Sequence, residues 1–395
     1  MNQKIPNQSR IDKSALILGI TLLTCGLMFL LINYSVKHFL LLIIGFGLGV
    51  SLYHAAFGFT GAWRRFIINK EGNGIRAQLF AIALASLLIL PLLKSENYFG
   101  SVMVGSFGPI GISVLVGSFI FGLGMQLGGG CGSGTLFTVG SGNTRMMITL
   151  ISFIVGSVLG TLHLPWWLSL PSLSYISLSE SFGVYQAILF QWAILGCIAL
   201  TTIFFEKQKN GKLQNIYYIK YDQRLIHTLF YGGWPLLWGG LALALLNFAI
   251  LIVAGHTWSV TFAFGLWGAK VLSIIGVEVS QWEYWTWSYP AQALKNSVLN
   301  DSVSLTNFGL IIGALVAASL ARKITPIIHI SFLSLIAALV GGLLMGYGAR
   351  LAFGCNIGAM FSGIASGSVH GWLWFASAFL GSYFGVKLRP HFGLL

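Results

Sequence analysis

Two cysteines of this sequence sit in matching surroundings. The first lies in FGLGMQLGGGCGSGTLF (121–137) and the second in MGYGARLAFGCNIGAMF (345–361). Gly122, Gly124, Leu127, Gly130, Cys131, Gly134 and Phe137 recur, each 224 positions further on, as Gly346, Gly348, Leu351, Gly354, Cys355, Gly358 and Phe361. A thiol is soft and polarisable, a weak donor and a weak acceptor. It suits a sulfur-bearing ligand better than sulfate or chloride. A lone cysteine is usually a small buried hydrophobe, and that reading is kept for Cys25 and Cys197, which have no accompanying motif. Repetition at one fixed spacing sets Cys131 and Cys355 apart.

The glycines raise the same choice. Gly122 and Gly124 alone read as small residues for close helix packing. Gly130, Gly132, Gly134, Gly354 and Gly358, gathered around a thiol in apolar sequence, read as a break in a helix. Non-helical backbone at membrane depth survives only where protein or a water-filled cavity shields it, and the N–H groups opening the next helix suit an anion. A third break, GVSLYHAAFGFTGAWRRF (49–66), keeps the spacing but places Gly58 where the thiol would stand, with His54 as a nearby polar contact. Asn356, Ser133 and Thr135 are short hydrogen-bonding residues beside the thiols. Arg350 precedes Cys355 by five residues, where the first copy has Gln126, and Lys270 interrupts a strongly apolar run. An ionisable residue inside a membrane segment points to function.

These residues need a scaffold, and composition says which. The 395 residues are 56% hydrophobic and only 8% charged, with mean hydropathy +0.83, whereas soluble domains are about a quarter charged. Runs near the ~20 residues that cross a hydrocarbon core fall at about 14–33, 37–57, 77–93, 109–127, 145–165, 183–205, 236–255, 259–279, 303–321, 327–349 and 369–388. The first run follows a polar tail without a small-residue cleavage pattern and reads as a span, not a signal peptide. Net charge is +13, carried in short loops, which fits the positive-inside rule and attraction of an anion, and argues against nucleic acid. No G-x-x-x-x-G-K-[ST] phosphate loop is present. No C-x-x-C pair suggests a zinc site or disulfide framework, and no metal or cofactor is expected.

Basic clusters at Lys4, Arg10 and Lys13, at Arg64, Arg65, Lys70 and Arg76, and at Lys207, Lys209, Lys212, Lys220 and Arg224 place the amino terminus in the cytoplasm. If 259–279 dips in and returns, Arg322, Lys323 and the carboxyl terminus are cytoplasmic too. The two cysteine breaks then run in opposite directions. The expected fold is an all-α polytopic membrane protein, an inverted pseudo-twofold repeat of transmembrane helices with Gly-rich re-entrant loops and short half-helices. Residues 1–182 form the first repeat, 183–228 a connector helix and basic loop, and 229–395 the second repeat. Trp166, Trp167, Trp282, Trp285 and Trp287 read as interfacial anchors, and His163 and His370 as interfacial residues.

At FGLGMQLGGGCGSGT, MGYGARLAFGCNIGAMFSG and WSVTFAFGLWGAKVL (258–272) the chain resembles the YeeE/YedE family of bacterial inner-membrane proteins, whose characterised members take up thiosulfate. The resemblance covers nearly the whole chain. It implies an hourglass of helices with loops dented in from both sides, and three cysteines that pass the ion along by S–H···S contacts without a lasting covalent bond. Cys131 and Cys355 match two of the three, and the third falls on Gly58. The implied function is import of thiosulfate or a related sulfur-containing anion. A cytosolic sulfur-carrier protein or sulfurtransferase is implied as a partner on the basic loops, with membrane lipids around the spans. The rival readings are a soft-metal or selenium-species transporter, with Cys131, Cys355 and His54 as ligands, and a membrane thiol enzyme that transfers sulfane sulfur. The expectation is a transporter, not an enzyme.

Overall fold

In the computed structural model the described residues are 12–93, 103–216, 225–324 and 330–394. Lys4, Arg10, Lys220, Arg224 and the start of the 327–349 run lie outside them. The chain begins with α1 (Lys13–Asn33), whose first turn is capped by the Asp12 carboxylate accepting from the Ala15 amide. Then come α2 (Val36–His54), α3 (Phe59–Asn69) and α4 (Asn73–Leu93). A two-residue strand β1 (Ile110–Gly111) leads into α5 (Ile112–Gly128), α6 (Gly132–Gly140) and α7 (Thr144–Leu168). Strand β2 (Ser172–Leu173) pairs antiparallel with β1. Next are α8 (Leu178–Phe182), α9 (Val184–Asn210), α10 (Leu225–Tyr231), α11 (Leu236–Ala254), α12 (Thr261–Ile274) and α13 (Ser288–Lys295). The chain closes with α14 (Ser302–Leu320), α15 (Phe332–Leu351), a π-helical turn (Asn356–Phe361), α16 (Ser362–Ala365) and α17 (Val369–Leu388).

Among the described residues, nine helical segments are long and apolar enough to cross a membrane. This is a multi-pass membrane protein. Three of the segments are interrupted: Val36–Asn69, Ile112–Gly140 and Phe332–Ala365. Each interruption coincides with one of the glycine-rich stretches. The run at 259–279 becomes α12, only 14 residues, about 21 Å of helix at 1.5 Å per residue. That is short of the ~30 Å hydrocarbon core.

Small residues set the helix crossings. A Cβ on Gly124 would sit 2.8–2.9 Å from Leu344, Gly341 and Met345, and one on Gly348 would overlap the Gly117 carbonyl and the Phe121 amide. Helices α5 and α15 therefore touch backbone to backbone and run antiparallel. Gly381 and Gly385 place α17 parallel to α5, against Phe119 and Leu123. Gly342 and Gly346 place α15 parallel to α7, against Thr149 and Phe153. Without a hydrophobic gain between lipid-soluble helices, such close contact is a main source of association.

The bundle has two ends. Tyr53 donates to the Lys323 carbonyl, which puts the end of α2 beside the end of α14. The opposite end gathers the end of α11 and the start of α14, where His256 Nε2 lies 2.6 Å from Ser302 Oγ. Residues 257–301 therefore begin and end at one end of the bundle, with α12 packed inside it. Because α1 is antiparallel to α14, with Gly19 against Val316, and α17 is parallel to α5, both described chain ends lie toward the α2/α6/α14 end.

One buried ion pair ties α9 to the start of α4. The Glu206 side chain is fully buried and accepts from Arg76 Nη1 at 2.6 Å, the Gly72 amide at 3.2 Å and the Gln214 amide at 3.0 Å. Replacing Glu206 with Ala strands a mostly buried guanidinium, which costs about 3–5 kcal/mol. The expected result is a clear fall in the thermal midpoint of the detergent-solubilised protein.

Two sequence expectations change. Trp285 is 1% exposed and donates to Thr161 Oγ1, so it is a core residue and not an interfacial anchor. His370 is 0% exposed beside Ser368 Oγ at 3.0 Å, inside the protein. Trp166 does face outward, 61% exposed.

Candidate functional site

The three breaks share one backbone solution. Ala56 (φ 46°), Gly129 (φ 96°) and Phe353 (φ 58°) each adopt the left-handed conformation, two residues before Gly58, Cys131 and Cys355 respectively. Gly129 takes it without steric cost. Ala56 and Phe353 do not, and strained non-glycine backbone of this kind clusters at functional sites. After the bend, Gly58, Cys131 and Cys355 are the N-cap residues of α3, α6 and the π-helical turn.

The cysteines use their sulfurs as caps. Cys131 Sγ accepts from the Gly134 amide at 3.4 Å, and Cys355 Sγ accepts from the Ile357 amide at 3.4 Å. Ser133 Oγ lies 3.6 Å from Cys131 Sγ, and Thr135 Oγ1 donates to the Cys131 carbonyl at 2.8 Å. The thiols are 1% and 0% exposed. The two breaks meet directly: a Cβ on Gly132, the residue after Cys131, would come 3.0 Å from Cys355 Sγ and 3.4 Å from Thr261. The missing side chain at Gly132 is what lets the second thiol lie against the first helix start.

Around this contact the backbone is crowded. Gly130 packs against Met146 and the Thr135 amide, and Gly134 lies under Cys131 Sγ. Gly354 holds φ 148° with the Ala359 amide where a Cβ would be. Gly358 faces Ser259, and its carbonyl accepts from Ser106 Oγ at 2.6 Å. Asn356 is 0% exposed, yet neither its side-chain oxygen nor its nitrogen has a hydrogen-bond partner. A buried polar group left unpaired costs about 1–3 kcal/mol.

A cavity approaches from each end. At the α2/α6/α14 end a cavity of about 430 Å³ is lined by His54, Ala56, Phe137, Trp234 and Lys323, among others. His54 is buried with Nδ1 unpartnered, and its carbonyl accepts from the Gly233 and Trp234 amides. At the other end a cavity of about 250 Å³ is walled by Ser259, Thr261, Phe262, Tyr284, Tyr289, Arg350 and Gly354. Neither thiol lines these cavities. The wall residues nearest to the thiols in sequence are Phe137 in the first cavity and Gly354 in the second.

The remaining candidates separate. Gly58 has nothing within 4 Å of a built Cβ and an ordinary extended backbone (φ −108°, ψ 125°). Arg350 reaches across to Tyr284, Ser157 and Thr261. Lys270 instead donates to the Leu294 and Asn296 carbonyls at the end of α13 and lines neither cavity. Nearby, outside the spans, burial pushes the Asp301 carboxyl up, partly offset by bonds from Ser304 and Tyr289. Ser259, Thr261 and Tyr284 line the second cavity and are candidates that sequence reasoning passed over. The first two stand within WSVTFAFGLWGAKVL and were readable there; Tyr284, hidden among tryptophans, was not.

A sequence profile of the family described as Sulphur transport matches residues 54–384. The thiosulfate transporter TsuA of Escherichia coli is 26% identical over 365 residues, 88% of this chain and 94% of its own length. TsuA of Spirochaeta thermophila is 27% identical over 347 residues, 84% of this chain and 93% of its own. Salmonella typhimurium "Probable transporter YedE" is 33% identical over 135 residues, 34% of this chain. That match spans only 33% of the YedE relative's length, and the one to Escherichia coli YedE only 40%. The profile match takes in all three breaks, both buried thiols and Arg350. By this match over most of its length, the chain belongs to the sulphur transport family, the YeeE/YedE group toward which its two glycine–cysteine motifs pointed.

Proposed function

We propose that this protein carries thiosulfate or a closely related sulfur-containing anion across the bacterial inner membrane, and that Cys131 and Cys355 form the narrowest point of the route. The observation that carries the reading is that the buried Cys355 thiol lies against Gly132, the residue after the buried Cys131, at the start of two interrupted helices, with a cavity toward each end of the bundle. The thiols contact the outer, sulfane-type sulfur, and Asn356, Ser133 and the capped amides of α6 and the π-helical turn contact oxygens. The buried arrangement suits alternating access, in which the cavities open in turn.

The same reading takes residues 1–182 and 229–395 as inverted repeats, with 183–228 as connector. Under the 224-residue shift, Gly124 against Gly341 becomes Gly348 against Gly117, and α5 on α17 becomes α15 on α7. An exchange of partners of this kind supports a twofold relation in the membrane plane. Residues 257–301, beginning and ending at one end, form a re-entrant segment, and both termini are cytoplasmic. The basic cytoplasmic loops dock a sulfur-carrier protein or sulfurtransferase.

Reconstituted protein should accumulate labelled thiosulfate, with sulfite, sulfate and selenite tested as competitors. Absence of uptake above protein-free vesicles rejects the reading. Gly58 provides a sharper probe, since nothing crowds it and its backbone accepts any residue. Gly58→Cys should change stability by less than about 0.5 kcal/mol while altering the uptake rate or the competitor profile. An unchanged rate and profile would separate Gly58 from the route.

A further inference from the structure

Arg350 is the charged wall of the 250 Å³ cavity, and its hydrogen bonding is incomplete. A guanidinium carries five N–H donors. Nη1 donates to Tyr284 Oη at 2.8 Å, and Nη2 donates to Ser157 Oγ at 3.0 Å and the Thr261 carbonyl at 3.1 Å. Nε is buried without a partner. Two donors are thus uncommitted, and all three partners in use are neutral. Among the described residues the ion pairs are Arg65–Glu71 and Arg76–Glu206. Of the carboxylates in 257–301, Asp301 is engaged by Ser304 and Tyr289, and Glu278 and Glu283 are exposed and form no ion pair with Arg350. The C-terminal dipole of α15 offsets part of the charge but supplies no acceptor to Nε.

The fork is held in place. Its carbon lies 5.2 Å from the Tyr284 ring centre and 5.9 Å from that of Phe262, and a stacked, planar guanidinium is the side chain best suited to multi-oxygen anions. Bracing of Tyr284, Ser157 and the Thr261 carbonyl accounts for three donors and leaves the other two unexplained. The counterpart in the first copy, Gln126, is neutral; its Nε2 donates to the Thr60 carbonyl and to Ser382 Oγ, and its Oε1 has no partner. The helix crossing therefore does not itself require a charge at this position. Ser259 and Tyr289 add hydroxyls to the cavity, and Gly354 connects its wall to Cys355.

We propose that the Arg350 cavity is a capture site for a tetrahedral sulfur oxyanion, which holds the –SO₃ end of the substrate before the sulfane end reaches the thiols. This rests on the transport reading above for its place in the route, but binding alone tests it. Full-length protein in detergent is titrated calorimetrically with thiosulfate, sulfite and sulfate, as wild type and as Arg350→Gln and Arg350→Lys. Wild type binds thiosulfate, Arg350→Gln weakens it by at least about tenfold, and Arg350→Lys falls between. In vesicles the Gln variant raises KM with the saturated rate preserved.

A wild type that binds none of the three anions, or a Gln variant that binds them equally well, overturns the capture site. If Arg350→Gln does not fold, the wild type decides. Phenylglyoxal modification of Arg350, mapped by mass spectrometry, is slowed by thiosulfate if the site exists and unchanged if it does not. Arg350-dependent binding without any uptake keeps the site and rejects transport. Uptake with an unchanged KM in the Gln variant does the reverse.

Discussion

Alanine at Cys355 should reduce thiosulfate uptake to the level of protein-free vesicles, and alanine at Cys131 should do the same, with both proteins still folded. The fold argument comes from what each sulfur does in the structure. Each caps a short helix through one long bond, 3.4 Å to a backbone amide. Loss of a full-strength cap costs about 0.5–2 kcal/mol, and sulfur is a weaker acceptor than oxygen. Removal of one buried atom adds a small cavity cost. A protein with the usual ~5–15 kcal/mol of stability withstands that. Uptake is different, because in the proposed route the thiols supply the polarisable contact to the substrate sulfur. Serine variants separate the two roles: Cys131→Ser and Cys355→Ser restore a capping oxygen but not the polarisable sulfur. They should match wild type in thermal midpoint and match alanine in uptake. Full uptake by both alanine variants would remove the thiols from the route.

The second large effect is structural. Gly348→Val should abolish folded protein, seen as loss of the monodisperse peak in gel filtration after solubilisation. Its Cβ would overlap the Gly117 carbonyl oxygen, and the Phe121 amide lies 2.7 Å away. Both are backbone, which cannot swing aside as a side chain does. Ordinary overpacking costs about 1–3 kcal/mol; here relief requires α5 and α15 to separate along the whole crossing, so the loss is larger. Gly58→Val is the internal control, since no atom lies within 4 Å of its Cβ position. A well-folded Gly348→Val protein would mean that α5 and α15 do not meet at this crossing.

The contrast between these two glycines shows how far the sequence could be read. Gly58, Gly124 and Gly348 are equivalent as letters in repeated motifs. In space Gly124 and Gly348 are helix contacts, and Gly58 borders open volume. The packing explanation holds for Gly122, Gly124, Gly346 and Gly348, while Gly129, Gly132 and Gly354 shape the breaks. Spacing alone could not divide them, because each answer depends on what arrives from 200 residues away. Arg350 and Lys270 were likewise alike as charges in apolar runs. One faces a cavity with two donors free, and the other closes the end of α13.

What the sequence determined by itself was the membrane character, the positions of most spans (the runs at 259–279 and 369–388 are not among the nine crossing segments of the described residues), the breaks and the family, because each depends on local composition or on repetition along the chain. Helix length and hydropathy are properties of a segment, and a repeat is visible without knowing where its copies lie. Only the tertiary structure decided that the Cys355 thiol lies against the helix start at Gly132, that Trp285 and His370 are interior, and that Tyr284 and the Thr261 carbonyl hold Arg350 at a cavity.

 

Those facts depend on which distant backbone fills the space beside a residue. Burial and hydrogen-bond partners are settled by helix crossings such as that of α5 and α15, which bring positions more than 200 residues apart within a few ångströms.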